Sequence, residues 1–183
     1  MQTILFAHSA GAQAGPGEGS FDLVQWLRGE LGVGWEIRFP IVSDPDAPSA
    51  ALWDGLLKKE FARCPDGVIL LGHSLGGSML LKYLSEHRVK VKIKALISVS
   101  APWWGPEGWA MEEFALPEDF PAHLPEIPEI HFFHARQDPV VSFDHLALYQ
   151  RVLPGLKAHP VRLKDHAFAK GLPELAKLLR SLA

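Results

Sequence analysis

Residues 67–77 read GVILLGHSLGG. An uninterrupted apolar run at residues 68–71 leads into a serine with glycine two positions before it and two positions after it. A parallel strand that turns at once into a helix strains the residue at the corner and projects its side chain above the sheet. Larger side chains would collide in so tight a turn, which is why glycine flanks such corners. The stretch therefore predicts a strand, a sharp turn with Ser74 at its apex, and a helix.

The rest of the chain continues this alternation of strand and helix. Apolar runs predict further strands at residues 3–7, 35–39, 93–99, 130–134 and 159–163. Helical spacing predicts helices at residues 21–31 with Ser20 as the cap, 50–63, 75–86, 144–152 and 172–182. Strands separated by helices are typical of parallel βαβ units. We expect a three-layer α/β/α fold with about six mostly parallel strands and helices on both faces.

Residues 101–129 break this rhythm with many prolines and with Trp103, Trp104 and Trp109. A long irregular segment inside a compact domain is usually a lid or a binding loop. We interpret residues 1–183 as a single domain, with this Pro/Trp-rich segment as an excursion that forms a minimal cap near the functional site.

Composition excludes several classes of protein. The formal net charge of -3 gives no electrostatic reason to expect nucleic acid or an anionic membrane as a partner. The apolar runs are too short to span a bilayer, and the first residues do not resemble a signal peptide. Cys64 is the only cysteine, so no internal disulfide is possible. We expect a cytoplasmic protein; the sequence does not predict its oligomeric state.

The predicted corner places Ser74 where a nucleophile would lie, but serine is a poor nucleophile without a base and a group that orients the base. In this setting the partners follow in the order serine, acid, histidine, at the ends of later strands. Asp138 follows the strand at 130–134, and His166 follows the last strand. Asp165 is a rival acid, but an adjacent residue does not easily approach its neighbour's ring in line. We therefore predict Ser74, Asp138 and His166 as the catalytic residues.

Acyl transfer also needs two donors for the developing oxyanion. The amide of Leu75, at the start of a helix, is the first candidate. The second comes from the loop after the first strand, where we favour the amide of Ala10, with Ser9 as the near alternative. This loop lacks the glycine patterns of nucleotide-binding proteins.

The substrate pocket is the least defined part of the prediction. We expect its lining to include His8, His73, Trp103, Trp104 and Trp109, with Met111 and Phe114 adding to an apolar acyl pocket. The aromatic side chains are equally compatible with a core that seals the end of the sheet.

A metal centre is the alternative use of the same polar residues. His8, His73, Asp138 and His166 are conceivable ligands, but their spacing matches no usual pattern. We predict no metal and no cofactor.

The loop at residues 8–11, the corner at residues 72–77 and the loops of Asp138 and His166 together resemble those of the α/β-hydrolases. The small size and minimal cap are similar to the serine hydrolases related to retinoblastoma-binding protein nine. The resemblance implies an enzyme, a carboxylesterase-like serine hydrolase with a small-molecule acyl substrate. A thioesterase, peptidase or lactonase with the same triad remains open, as does a non-catalytic binding or scaffold protein. Ser9 stands where family members often carry glycine, and the Leu-x-Cys-x-Glu signature of retinoblastoma binding is absent.

Overall fold

The computed structural model describes residues 1–183, which form one sheet covered by helices. The strands are β1 Gln2–Ala7, β2 Trp35–Arg38, β3 Val68–His73, β4 Ile93–Val99, β5 Glu129–Ala135 and β6 Lys157–Val161. The helices are α1 Phe21–Leu31, α2 Ala50–Phe61, α3 Leu75–Glu86, α4 Phe120–His123, α5 Asp144–Val152 and α6 Pro173–Ser181.

The six strands are all parallel and lie in the order β2-β1-β3-β4-β5-β6. The chain leaves β1 toward β2 at one edge and then continues from β3 toward the other edge. The loops after β1 and β3 consequently diverge, which opens a crevice at the carboxyl ends of these neighbouring strands. Ala7 pairs with Gly72 there, so the first loop and the predicted corner are adjacent.

Alternate residues of the strands enter two separate cores. Leu5, Leu70 and Leu96 pack beneath α2, α3 and α5. Ile4, Ile69 and Ile97 pack beneath α1 and α6 on the opposite face. Because both faces are buried, the strands read as continuous apolar runs, as is typical of parallel sheets. The prediction of a three-layer α/β/α fold with about six strands is confirmed.

The main error in the predicted elements is at the edge of the sheet. The last strand is Lys157–Val161, two residues earlier than the predicted 159–163. This edge strand pairs with β5 alone and contains Pro160, whose missing N–H is tolerated there because one side of the strand has no partner. None of the helices combines the length and the hydrophobicity needed to cross a membrane.

The Pro/Trp-rich segment contains little regular structure, namely a 3₁₀ turn at Glu112–Phe114 and the short helix α4. It is nevertheless fixed to the body of the protein. The carbonyl of Pro102 accepts hydrogen bonds from the hydroxyls of Ser78 and Tyr149, each at 2.7 Å. These bonds hold the start of the segment against α3 and α5.

Candidate active site

Ser74 lies at the corner between β3 and α3 with a φ of 52° and a ψ of −124°. A serine in this region is strained, and the structure must hold it there. Its amide donates to the carbonyl of Val99 at 2.8 Å. A Cβ on Gly72 would lie 2.5 Å from the Cα of Gly77, and a Cβ on Gly76 would collide with the backbone of Ala7. The glycines therefore allow α3 to approach the ends of β1 and β3 closely enough to form the corner.

Asp138 and His166 meet although they lie on different loops. Asp138 follows β5 and His166 follows β6, and these strands are neighbours in the sheet. Nδ1 of His166 lies 2.9 Å from Oδ2 and 3.0 Å from Oδ1 of Asp138. The rival Asp165 accepts the amide of Ala167 at 3.0 Å and so stabilises its own turn. Of the two carboxylates, Asp138 is the one that contacts the imidazole.

The environment of Asp138 keeps it ionised. Burial alone would raise the pKa of its carboxyl group, but hydrogen bonds from His166 and from the amides of Val140 and Val141, together with the charge of His166, lower the pKa to about 2. The two amide bonds are each 2.9 Å long. An ionised Asp138 accepts the Nδ1 proton of His166, which leaves Nε2 of a neutral ring free to accept one.

Ser74 and His166 line the same cavity, whose volume is about 590 Å³. The hydroxyl of Ser74 and Nε2 of His166 are not joined by a hydrogen bond in the structure, and neither atom has another hydrogen-bond partner in the protein. Catalytic hydrogen bonds of this kind are often long or misaligned until substrate binds. The two groups are therefore close enough to face one bound molecule, while their direct contact is part of the proposal below.

Of the two candidate oxyanion donors in the first loop, only one amide is free. The amide of Ser9 donates to Oγ of Ser20 at 2.8 Å. The amide of Ala10 donates to no protein acceptor, and Ala10 lines the cavity. Leu75 also lines the cavity, and its amide is in the first turn of α3, where it has no acceptor within the helix. Ala10 and Leu75 are thus the two available donors.

Gln13 holds this loop in shape, and no sequence pattern points to this role. Its side chain is 1% exposed. Its amide nitrogen lies within 3.1 Å of both the carbonyl and the hydroxyl of Ser9, and its amide oxygen accepts the backbone N–H of Ser20 at 2.7 Å. A buried amide satisfied on both sides fixes the backbone around the Ala10 donor.

The wall of the cavity includes most, but not all, of the predicted pocket residues. His73, Trp104, Trp109, Met111 and Phe114 line it. The lining residues that the sequence did not predict include Ala47, Pro48 and Val140. These residues come from the loop after β2 and from the Asp138 loop, and no pattern in the sequence points to them.

Two expected pocket residues, His8 and Trp103, lie outside the cavity wall. The Trp103 ring packs edge-on against Tyr149, with centroids 5.0 Å apart, so it belongs to the core beneath α5. Nδ1 of His8 donates to the carbonyl of Ser9, and its Nε2 accepts the amide of Val42 at 3.2 Å. His8 therefore holds two loops together from below.

The hydrogen bonds of the His8 and His73 rings do not fit the metal alternative. No group of three or more histidine, cysteine, aspartate or glutamate side chains has the arrangement of a metal site. Both ring nitrogens of His8 and of His73 are already hydrogen-bonded to protein groups. In such positions neither ring can turn a nitrogen toward a shared ion.

Ser20 has a different role from the predicted one. It occupies the residue before α1, but its hydroxyl forms no capping bond to the helix. Oγ of Ser20 lies 2.8 Å from Nδ1 of His73 instead. The sequence shows only a serine before an apolar helix, and the long-range partner is visible only in the fold.

The parallel sheet, the strained serine at the corner and the loops that follow β1, β5 and β6 define an α/β-hydrolase fold. The ydeN gene product from B. subtilis has a similar structure, with a TM-score of 0.76 and 16% identity over 100% of this chain and 98% of that chain. Esterase RhEst1 from Rhodococcus sp. ECU1013 gives a TM-score of 0.72 and 17% identity over 98% and 89% of the two chains. The meta-cleavage product hydrolase CumD from Pseudomonas fluorescens IP01 gives a TM-score of 0.72 and 10% identity over 100% of this chain and 90% of that chain.

The family model for serine hydrolases matches residues 37–162. The chain belongs to this serine hydrolase family, which agrees with the resemblance to the small hydrolases related to retinoblastoma-binding protein nine. No curated protein matches the sequence.

Proposed function

We propose that this protein is a carboxylesterase-like hydrolase that cleaves a small, uncharged ester or related acyl substrate through an acyl-enzyme on Ser74. The observation that carries the proposal is the hydrogen bond between Asp138 and His166 at the wall of the cavity that also contains the strained Ser74. A carboxylate that orients an imidazole beside a corner serine at a cavity wall is the arrangement that nucleophilic acyl transfer needs.

The chemistry follows from the protonation states. Nε2 of His166 takes the hydroxyl proton of Ser74 as Oγ attacks the substrate carbonyl carbon. Ionised Asp138 stabilises the imidazolium that forms. His166 then gives the proton to the leaving group, which departs as the acyl-enzyme forms. Water, deprotonated by His166, attacks the acyl carbon, and the proton returns to Ser74 as the acid is released.

The negative charge on the carbonyl oxygen needs donors that are in place before the reaction. The amides of Ala10 and Leu75 supply them, because both line the cavity and neither is used by the protein. Leu75 adds the positive end of the α3 dipole. A single donor of this kind is typically worth about 10²–10³ in kcat.

The cavity favours a neutral, apolar acyl group. Its lining includes Trp104, Trp109, Met111 and Phe114, and its wall contains no lysine, arginine, aspartate or glutamate. A carboxylate on the acyl chain would lose water without gaining a counterion there. A cavity of about 590 Å³ suits a short to medium acyl chain.

The test combines covalent labelling with an ester series. A fluorophosphonate probe should label the native protein at Ser74 and should not label Ser74→Ala. Among p-nitrophenyl esters, butyrate should be hydrolysed faster than hemisuccinate, whose acyl chain carries a charge. Ser74→Ala should lower kcat by about 10⁴-fold or more, since the remaining machinery lacks a nucleophile.

Three other outcomes would separate the alternatives. Folded protein that neither reacts with the probe nor hydrolyses any ester is the result expected of a binding or scaffold protein. Labelling at Ser74 with preference for a thioester, a peptide or a lactone would retain the mechanism and replace the substrate class. Hydrolysis that persists in Ser74→Ala would remove Ser74 from the mechanism.

A further inference from the structure

His73 directly precedes Ser74, yet its side chain is 1% exposed and lies among loops rather than in the core of the sheet. Both of its ring nitrogens have partners. Nε2 lies 2.7 Å from the carbonyl oxygen of His166, and Nδ1 lies 2.8 Å from Oγ of Ser20. A carbonyl oxygen only accepts, so Nε2 carries the proton, and Nδ1 of the neutral ring accepts the hydroxyl proton of Ser20.

The bond to His166 is the single hydrogen bond made by the backbone of that residue. The amide of His166 donates to no protein acceptor, and its carbonyl accepts from His73 alone. The segment that follows is fixed by Phe168, which is fully buried and approaches the His73 ring edge-on, with centroids 6.1 Å apart. His73 is consequently the fixed point of the backbone that carries the His166 imidazole.

A chain of hydrogen bonds continues from His73 to the first loop. Ser20 donates its hydroxyl proton to His73 and accepts the amide proton of Ser9, at 2.8 Å in each case. Ser9 directly precedes Ala10, whose amide is the free donor at the cavity. One imidazole thus connects the loop of the base, the corner of the nucleophile and the loop of the oxyanion donor.

We propose that His73 is a positioning residue, which holds the backbone of His166 at the height where its Nε2 faces the hydroxyl of Ser74 and, through Ser20, sets the position of the Ala10 amide. This proposal rests on the proposed function, because it assigns the partner of the base in that reaction. His73 takes no proton from the substrate. Its contribution is geometric, and a displacement of about 1 Å at a reacting group commonly costs about 10²-fold in rate.

The chain offers a matched pair of substitutions at this position. The side-chain amide of Gln extends as far as Nε2 of histidine, so His73→Gln keeps a donor for the carbonyl of His166. The amide of Asn extends only as far as Nδ1, so His73→Asn keeps a partner for Ser20 and loses the bond to His166. The two variants therefore separate loss of the His166 anchor from loss of an imidazole as such.

We expect His73→Asn to lower kcat by about 10²-fold on a p-nitrophenyl ester while KM changes less than about threefold, since the bound acyl group keeps its contacts. His73→Gln should recover about tenfold or more of that loss. Equal losses in the two variants, or a folded His73→Asn with the native kcat, would overturn the proposal.

A measurement on the native protein decides the matter if the variants do not fold. In ¹⁵N-histidine spectra, His73 should show a slowly exchanging proton on Nε2 and none on Nδ1. A proton on Nδ1, or a His73 ring that titrates near neutral pH, would contradict the proposed bonds.

The same spectra keep this proposal distinct from the proposed function. A native protein that hydrolyses nothing would refute the enzyme. The proposed bond from His73 to the carbonyl of His166 would then be tested by the Nε2 proton and by hydrogen exchange in residues 164–171. This exchange should be faster in His73→Asn than in His73→Gln. Equal exchange rates in the two variants would refute the anchor as well.

Discussion

Asp138 holds the ring of His166 through its Nδ1 edge: Oδ2 of the fully buried carboxylate lies 2.9 Å from Nδ1 of the imidazole. The same carboxylate accepts the amides of Val140 and Val141. The amides of its own loop therefore hold the carboxylate in position independently of the histidine. The pair requires β5 and β6 to be neighbours, because the two residues are carried by the loops that follow these strands.

Substitution of each carboxylate should show whether Asp138 or Asp165 orients the imidazole of His166. Asp138→Asn keeps an oxygen for the amides but loses the charge and favours the wrong histidine tautomer, so we expect kcat to fall by about 10⁴-fold. Asp165→Asn is the matched control, because its oxygen can still accept the amide of Ala167. Ester hydrolysis rates for the two folded variants provide the measurement. A larger loss in Asp165→Asn than in Asp138→Asn would reverse the assignment.

Stability should fall as the solution becomes acidic, and buried histidines are the first cause. Burial lowers the pKa of His8, His134 and His145, and it lowers that of His73 to about 3 from 6.5, with the nearby charge of His166 acting in the same direction. Below pH 6.5 the unfolded chain binds protons that the folded state does not. The free energy of unfolding is therefore highest above pH 6.5, and it falls progressively as the pH drops toward about 3.

Urea unfolding between pH 7 and pH 4 measures this loss, to which His73 contributes up to about 1.4 kcal/mol per pH unit. His73→Gln removes one titrating group, so its unfolding free energy should depend on pH less steeply by about that amount. His123→Gln, a substitution of a surface histidine, serves as the comparison. An unchanged slope in His73→Gln would mean that His73 is not held neutral by the fold.

Asp138 adds a second loss at lower pH. Burial opposes ionisation of its carboxyl group, but the hydrogen bonds from His166, Val140 and Val141 dominate and lower the pKa to about 2 from 3.8. A depressed carboxyl pKa stabilises the folded state above pH 3.8, and this contribution disappears as the pH falls through about 2. Asp138→Asn should therefore lack the part of the transition that lies below pH 4.

The corner depends on close approach, which two glycine substitutions can test. A Cβ on Gly76 would meet the backbone of Ala7 and His8, and neither can move without shifting β1. Gly76→Ala should destabilise the protein by about 3 kcal/mol or more. Gly29 lies in α1 with nothing within 4 Å of its added Cβ, so Gly29→Ala should stabilise it by about 0.5–1 kcal/mol. Thermal unfolding of the two variants should give shifts of opposite sign.

Local pattern was sufficient for the sheet and the corner. An unbroken apolar run indicates a buried parallel strand, and the strain at Ser74 requires the flanking glycines. Both features can therefore be predicted from neighbouring residues in the sequence. The edge strand β6 was less clear, because Lys157 and His159 are partly solvated and Pro160 resembles a break. Its register is fixed by pairing with β5, which is information from elsewhere in the chain.

The pocket and the hydrogen-bond chain depended on contacts that no local pattern carries. Trp103 and Trp104 are adjacent, yet one packs against Tyr149 and the other lines the cavity, because their backbone sends successive side chains in different directions. Ser20 reads as a helix cap, and only the fold brings His73 to its hydroxyl. The candidate reactive groups could be predicted from local sequence, whereas the residues that hold them in place became visible only in the fold.

The rim of the cavity offers a way to change the proposed preference for uncharged substrates. Val140 lines the cavity and is 54% exposed, so a lysine there can keep its ammonium group in water while it reaches an acyl carboxylate. We expect Val140→Lys to raise kcat/KM for p-nitrophenyl hemisuccinate about fivefold relative to butyrate, an effect that added salt should reduce. Val33→Lys places the same charge before β2, at the other end of the sheet, and should leave the ratio unchanged. An equal change in both variants would attribute the effect to net charge instead of to the cavity.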